Sequence, residues 1–229
     1  MQVRPDHHGA GGAALVWRVP PGWTALSSAS VGGGPGRPRW VTNLGVGDDF
    51  TRTDLPAYAA ERAAALGLRG PGTTLLTAAD VTQVEHAEHD GVRAWATVGV
   101  TKPTWALAPD GRPPTDPGLP PPPGTINIVA ALPRPLSGSA LVQAVGTLTE
   151  AKAQALLEAG VPGTGTASDA VVVLCPPPGE GGADTPPEAF AGVRSRWGQC
   201  LAVAVHTAVS AGMRARPWPA ADVDAGVRW

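Results

Sequence analysis

Residues 124–175, GTINIVAALPRPLSGSALVQAVGTLTEAKAQALLEAGVPGTGTASDAVVVLC, decide the fold. Gly124 to Leu132 is short and apolar, and reads as a strand. From Ser137 to Ala159, Leu141, Val145, Leu148, Ala155 and Leu156 recur at helical spacing, with Ser137 or Ser139 as the cap and Gly160 as the stop. Ala170 to Leu174 is a continuous apolar run, the pattern of a strand covered on both faces. A strand, a long helix and a buried strand in succession call for a sheet with helices against it.

Working outward, Ala13 to Val19 and Trp23 to Ala29 read as strands joined by the turn Pro20-Pro21-Gly22, and Arg39 to Val46 as a third. Asp54 to Leu66 is alanine-rich, with Thr53 or Asp54 as cap and Gly67 as stop, which predicts a helix. Thr73 to Ala78 reads as a strand. Arg93 to Val100 alternates, placing Trp95 and Thr97 on one face and Ala94, Ala96 and Val98 on the other. Phe190 to Met213 is expected to be a second long helix. The expected class is α+β (mixed α/β): a single domain over 1–229 built on a mixed β-sheet with helices packed on it. The proline-rich segments 109–123 and 176–187 are expected to be mobile loops.

Glycine and proline together make up about a quarter of the 229 residues, a level at which low complexity has to be considered. A formal charge of −2 supplies no basic face for nucleic acid. No apolar run reaches the roughly 18–20 residues that span a bilayer. Two cysteines, Cys175 and Cys200, make no disulfide framework, and the start of the chain has no export signal, so a reducing, cytoplasmic setting is expected. Lys102 and Lys152 are the only lysines and neither lies in a phosphate-binding loop; a nucleophile-elbow serine and a His-Glu-x-x-His helix are missing too. His86 and His89 have metal-like spacing, but the polar run Glu85 to Asp90 reads as a solvated helix end or turn, and no metal ligand is assigned. His206 reads as a hydrogen-bonded core or rim residue.

Four polar clusters stand out. Ser27-Ser28-Ala29-Ser30 runs into Gly32-Gly33-Gly34, where the backbone either approaches a ligand closely or forms a flexible loop. Thr77 to Thr82 ends a strand, with Asp80 available as a functional carboxylate or as a cap. Thr125 and Asn127 share one side of a strand, and a buried amide there is either a structural bridge or a substrate donor. The fourth cluster is the strongest. Thr147, Thr149, Glu150 and Lys152 interrupt the long helix, and Gly163 to Asp169 leads into the buried strand. Hydroxyls, backbone N–H groups and a carboxylate in a small volume are the parts of acyl-transfer chemistry. Glu150 is expected to be at least partly buried on so apolar a helix, and Lys152 to join the cluster or to snorkel.

In this order, Leu26 to Ala29 with Gly32 to Gly34, Thr77 to Thr82, Gly99 to Pro103, Gly124 to Ile128, Thr149 to Lys152, Gly163 to Asp169 and Ser195 to Gly198 resemble the adenosylcobinamide amidohydrolase family of cobalamin salvage. The resemblance runs from about residue 15 to 210. It implies hydrolysis of the amide joining aminopropanol to the corrin propionyl side chain, giving adenosylcobyric acid. The corrinoid is then the small-molecule substrate and no cofactor is expected; metal dependence and homo-oligomerisation are left open. The resemblance further implies Glu150, Asp169 and Asp80 as candidate catalytic carboxylates. Candidate substrate-binding residues are Ser27, Ser28, Gly33, Asn127, Thr149, Lys152, Thr164, Thr166, Ser168, Arg194 and Ser195, with Trp95, Trp105 and Trp197 as stacking surfaces or ordinary core and rim aromatics.

One motif departs from the family. Where its members usually read Gly-Thr-His-Ser-Lys-Leu-Gly, this chain has Gly192-Val193-Arg194-Ser195-Arg196-Trp197-Gly198. A guanidinium cannot replace an imidazole base. If the family histidine is the base, chemistry here falls to Glu150, Asp169 or Asp80, or the chain is a corrinoid-binding protein without catalysis. If the histidine orients substrate, Arg194 can hold a corrin amide or propionate. An amidohydrolase of a different corrinoid amide is the other alternative.

Overall fold

The computed structural model describes residues 2–5, 13–47, 50–107, 111, 124–179 and 186–218. In chain order its elements are β1 (Gln2–Pro5), β2 (Ala13–Arg18), β3 (Thr24–Ser27), β4 (Gly34–Gly36), β5 (Trp40–Gly45), α1 (Leu55–Ala65), β6 (Gly72–Thr77), β7 (Glu85–His89), β8 (Val92–Val98), β9 (Ile126–Ala131), α2 (Gly138–Glu158), β10 (Ala170–Cys175) and α3 (Arg196–Ala215). A 3-10 turn, Val81–Gln83, follows β6. The class is mixed α/β as expected, but the described strands divide into two mixed sheets rather than one. The four-stranded sheet has the order β1-β2-β5-β6 and the six-stranded sheet β4-β3-β10-β9-β8-β7.

Each sheet contains one parallel pair, and each pair is made by a strand–helix–strand unit: β5-α1-β6 in one, β9-α2-β10 in the other. A parallel connection needs a crossover, and the helix that supplies it covers the sheet's outer face. Alternating side chains then distribute themselves between the faces. In β9, Ile126, Ile128 and Ala130 meet the helices while Val129 and Ala131 face the other sheet; in β10, Val171, Val173 and Cys175 do the first and Val172 and Leu174 the second. In β2, Leu15 and Trp17 enter the core between the sheets, and Ala14 and Val16 pack with Tyr58, Ala63 and Leu66 near α1. The result is four layers: α1, the four-stranded sheet, the six-stranded sheet, then α2 and α3. β8 alternates as its sequence predicts, with Ala94, Ala96 and Val98 under the helices and Trp95 against the inter-sheet core.

Three local expectations change. Glu85 to His89 is a strand, β7, paired with β8 through the turn at Asp90 and Gly91, whose positive φ values of 48° and 80° suit a tight hairpin. The solvated-turn reading missed it because β7 is an edge strand whose polar residues make no apolar alternation. Helix α3 begins at Arg196, not Phe190, since Ser195 caps it by accepting from the Gly198 N–H at 3.1 Å. Gly32 and Gly33 also have packing reasons. A Cβ on Gly32, at φ +67°, would lie 2.1 Å from the Gly72 carbonyl, and one on Gly33 would lie 2.1 Å from that of Ala29. Only Gly34 has open space. The expected mobile loop 109–123 lies outside the described residues except for Gly111, as do 180–185 of the second loop.

Candidate functional site

The N-terminal ends of β9 and β10 lie side by side, because these strands are parallel and Ala170 is opposite Asn127. The loop entering β10 ends in Asp169, which is therefore placed at the sheet's rim. Its Oδ1 accepts the Ile126 N–H at 2.9 Å and the Thr166 hydroxyl at 2.5 Å. Its Oδ2 accepts the Thr166 N–H at 3.1 Å and the Lys152 ammonium at 2.5 Å. Both charged side chains are over nine-tenths buried. Such a pair persists only when its remaining hydrogen-bonding capacity is used, and here four donors converge on one carboxylate. Lys152 does not snorkel; it turns inward from α2 between Leu148 and Leu156, on the buried stripe.

Hydroxyls line the open side. Thr125 Oγ1 and Ser168 Oγ are 2.7 Å apart, and Ser168 also reaches the Gly124 carbonyl at 3.3 Å. The loop is pinned from the segment after β8: the Thr104 N–H donates to Gly165 and the Thr164 N–H to Thr104. Thr166 is half-buried and Ser168 exposed, so hydroxyls meet solvent at the rim with the buried carboxylate and ammonium directly behind them. A hydroxyl donating to a carboxylate is polarised for attack, and neighbouring hydroxyls can stabilise an oxyanion.

Behind this rim, Asn127 is a bridge between sheets. Its Nδ2 donates at 2.9 Å to Asn43 Oδ1 on β5 and at 2.9 Å to the Leu76 carbonyl on β6, while its Oδ1 accepts the Ala170 N–H at 3.2 Å. Asn43 in turn donates to Thr97 Oγ1 at 2.9 Å. Both amide hydrogens of Asn127 are occupied, and the residue is 2% exposed. Of the two readings of this amide, the geometry gives the structural one.

The remaining candidates separate into those at this rim and those elsewhere. Ser27 donates to the Val171 carbonyl at 2.9 Å and accepts from Ala29, and Ser28 Oγ accepts the Val171 N–H at 3.0 Å; both tie β3 to β10 two residues from Asp169. Asp80 is on the same end of the sheets, since Ala79 abuts Gly99, which bonds Thr125. There it caps the 3-10 turn. The Thr82 hydroxyl, then the Thr82 N–H, and also Gln83, hold its carboxyl below the usual range. Thr149 back-bonds to the Val145 carbonyl and is exposed. Glu150 is exposed as well, contrary to the expectation from the helix's apolarity: the buried positions Thr147, Leu148, Ala151 and Lys152 form a stripe that residue 150 misses. Gly33 lies on the segment between β3 and β4.

Arg194 and Ser195 stand at the opposite end. Cys200, one turn into α3, touches Asp90 in the turn just before β8, whose first residues pair with the end of β9; Asp169 binds the start of β9. Trp95 is half-buried, edge-on to Trp17 at 6.1 Å and stacked on His86 at 5.1 Å, and Trp197 donates to Glu188 at 3.0 Å. His206 bonds Glu158 at 2.7 Å on the helical face, as a rim histidine. Sequence reasoning left Thr104 and Asn43 unassigned. Thr125 it noticed without giving it a role. The Gly-Thr-Gly-Thr spacing held no sign that another loop would pin it.

No helix among the described residues is long and apolar enough to cross a membrane. Residues 3–219 match the family described as adenosylcobinamide amidohydrolase. Two curated relatives bear that name. The protein of Halobacterium salinarum is 36% identical over 188 residues, covering 80% of this chain and 78% of its own. That of Methanosarcina mazei is 30% identical over 192 residues, covering 82% and 90%. No solved structure matches the chain. By the extent of the family match and the identity of both relatives, the chain belongs to the adenosylcobinamide amidohydrolase family and is an amide-bond hydrolase.

Proposed function

We propose that the chain hydrolyses the amide that joins aminopropanol to the corrin propionyl side chain of adenosylcobinamide. Water adds across the C–N bond; the acyl half leaves as adenosylcobyric acid and the amine as aminopropanol. The observation that carries this reading is the Thr166–Asp169–Lys152 chain at the rim of β9 and β10, within a family match that spans nearly the whole sequence. Asp169 is the base: it draws the proton from the Thr166 hydroxyl as Oγ1 attacks the amide carbon, and Lys152 holds the carboxylate in place through its Oδ2. The Thr125–Ser168 hydroxyl pair donates to the developing oxyanion. The proton held by Asp169 passes to the leaving amine, and water then releases the acid from Thr166. Trp105, half-buried beside the Thr104 that bridges to Gly165, and the hydroxyl-lined rim are suited to an amide-fringed, largely apolar ring. The proposed setting is reducing and cytoplasmic, which the two free, buried cysteines support.

Incubation with adenosylcobinamide, followed by chromatography of the corrinoid, tests the proposal. The expected product is adenosylcobyric acid in amounts equal to the aminopropanol released. Full turnover by Asp169→Asn would remove the assigned base, and absence of product from the unaltered protein would remove the substrate assignment. Tight binding of adenosylcobinamide without product would instead establish a binding protein.

A further inference from the structure

At the opposite end of the six-stranded sheet, three unlike ligand groups meet. His89 ends β7, Asp90 opens the turn into β8, and Cys200 lies one turn into α3. A ring nitrogen of His89, a carboxylate oxygen of Asp90 and the Cys200 sulfur all lie within 4.8 Å of one another, and no other such grouping occurs among the described residues. The left-handed turn at Asp90 and Gly91 aims the carboxylate at α3, where the thiol is 3.9 Å from Oδ2. Cys200 is 5% exposed while His89 and Asp90 are exposed, so the three groups wall one side of a position that stays open to solvent. The hydrolysis proposed above uses none of them.

The structure assigns His89, Asp90 and Cys200 as a three-ligand site for a borderline-soft divalent cation of the zinc type. Sulfur, imidazole and carboxylate together suit zinc or cobalt and disfavour magnesium and calcium. A tetrahedral zinc with bonds of about 2.0–2.3 Å sets its ligand atoms about 3.3–3.6 Å apart. Closing from separations of up to 4.8 Å shortens them by about 1.5 Å or less, which two exposed side chains beside a hairpin turn can supply. Binding replaces the thiol proton by the metal and releases it to solvent, leaving a sulfur–metal bond and a fourth position for water. Arg196, close enough to Cys200 to act on it electrostatically, is turned over the Trp197 ring at 5.1 Å.

Titration of the metal-free protein with cobalt and with zinc tests this assignment. One equivalent is expected to bind, and cobalt should produce a sulfur-to-metal charge-transfer band in the near ultraviolet. Cys200→Ser should abolish the band, whereas Cys175→Ala and the double change His7→Ala with His8→Ala should keep it. Loss of an outer-shell partner alone costs about 10–100-fold in affinity, so His89→Ala and Asp90→Asn should each weaken zinc by at least that much. No band, a band that persists in Cys200→Ser, or undiminished zinc affinity in His89→Ala would each overturn the site. His89 is exposed and its variant should fold, which keeps that last measurement decisive.

Discussion

Gly165 has to be glycine because of what lies beside it: a Cβ there would be 2.4 Å from Asp169 Oδ2 and 2.6 Å from Lys152 Nζ. Gly165→Ala is therefore expected to push the ion pair apart, destabilising the fold by about 1–3 kcal/mol and lowering turnover. Urea denaturation and the corrinoid assay read the two effects together. Asp169→Asn is harsher, since it leaves a buried ammonium facing a neutral amide; the loss should be about 3–5 kcal/mol. The double variant Lys152→Met with Asp169→Asn, which removes the buried ammonium and keeps an acceptor for the Ile126 N–H, should recover part of that stability but no turnover, an outcome that separates folding from chemistry. Glu150→Gln, in water on the outer face of α2, should reduce turnover far less than Asp169→Asn. At this scale the sequence carried part of the site. A Gly/Thr/Ser loop ending in Asp before a buried strand marked Asp169, Thr166 and Ser168 correctly as neighbours. Glu150 was misjudged because average helix apolarity says nothing about which stripe a given position occupies.

Element boundaries followed caps more than hydrophobic pattern. Phe190, Ala191 and Val193 extend the apolar spacing of α3 backward, yet the chain turns at Ser195, whose hydroxyl donates to Gly192 at 2.8 Å while accepting from Gly198. Ser195→Ala should cost about 1 kcal/mol, measured as a lower thermal midpoint. The 3-10 turn after β6 has a carboxylate cap and hence an acid limit. The carboxyl of Asp80 is held below its ordinary value, so its contribution is complete above the unfolded value near pH 4 and fades as pH falls through the lower folded value. Asp80→Asn should accordingly lower stability at pH 7 more than at pH 2, with denaturation midpoints at the two pH values as the measure. Among the interior strands, β8 was legible from its alternation, and β9 and β10 from short apolar runs that fit strands covered on both faces. The edge strand β7 was not, since it buries little and its partner is identified by a turn rather than by its own residues.

Over the whole molecule, the division into two sheets was the part least visible in the sequence. Each strand–helix–strand unit can be recognised alone, but which strands join it depends on pairings across long separations, such as β3 with β10. What fastens the two sheets is partly polar: Asn43, Asn127, Thr97 and the Leu76 carbonyl form a buried chain across an otherwise apolar interface. Asn43→Leu, although more apolar, should therefore destabilise by about 1–3 kcal/mol, because it strands an amide N–H of Asn127 and the Thr97 hydroxyl. Hydrogen exchange should quicken in β5 and β9 together in that variant. The same bridge works as an index mark. Side chains repeat every two residues along a strand, so a slip of one position in β9 would turn Asn127 toward the helices and set isoleucine against Asn43. Misaligned chains would thus be penalised by a polar mismatch as well as by lost packing. Residues 43, 97 and 127 should change in concert or stay fixed as the sequence drifts, while the apolar positions around them exchange freely.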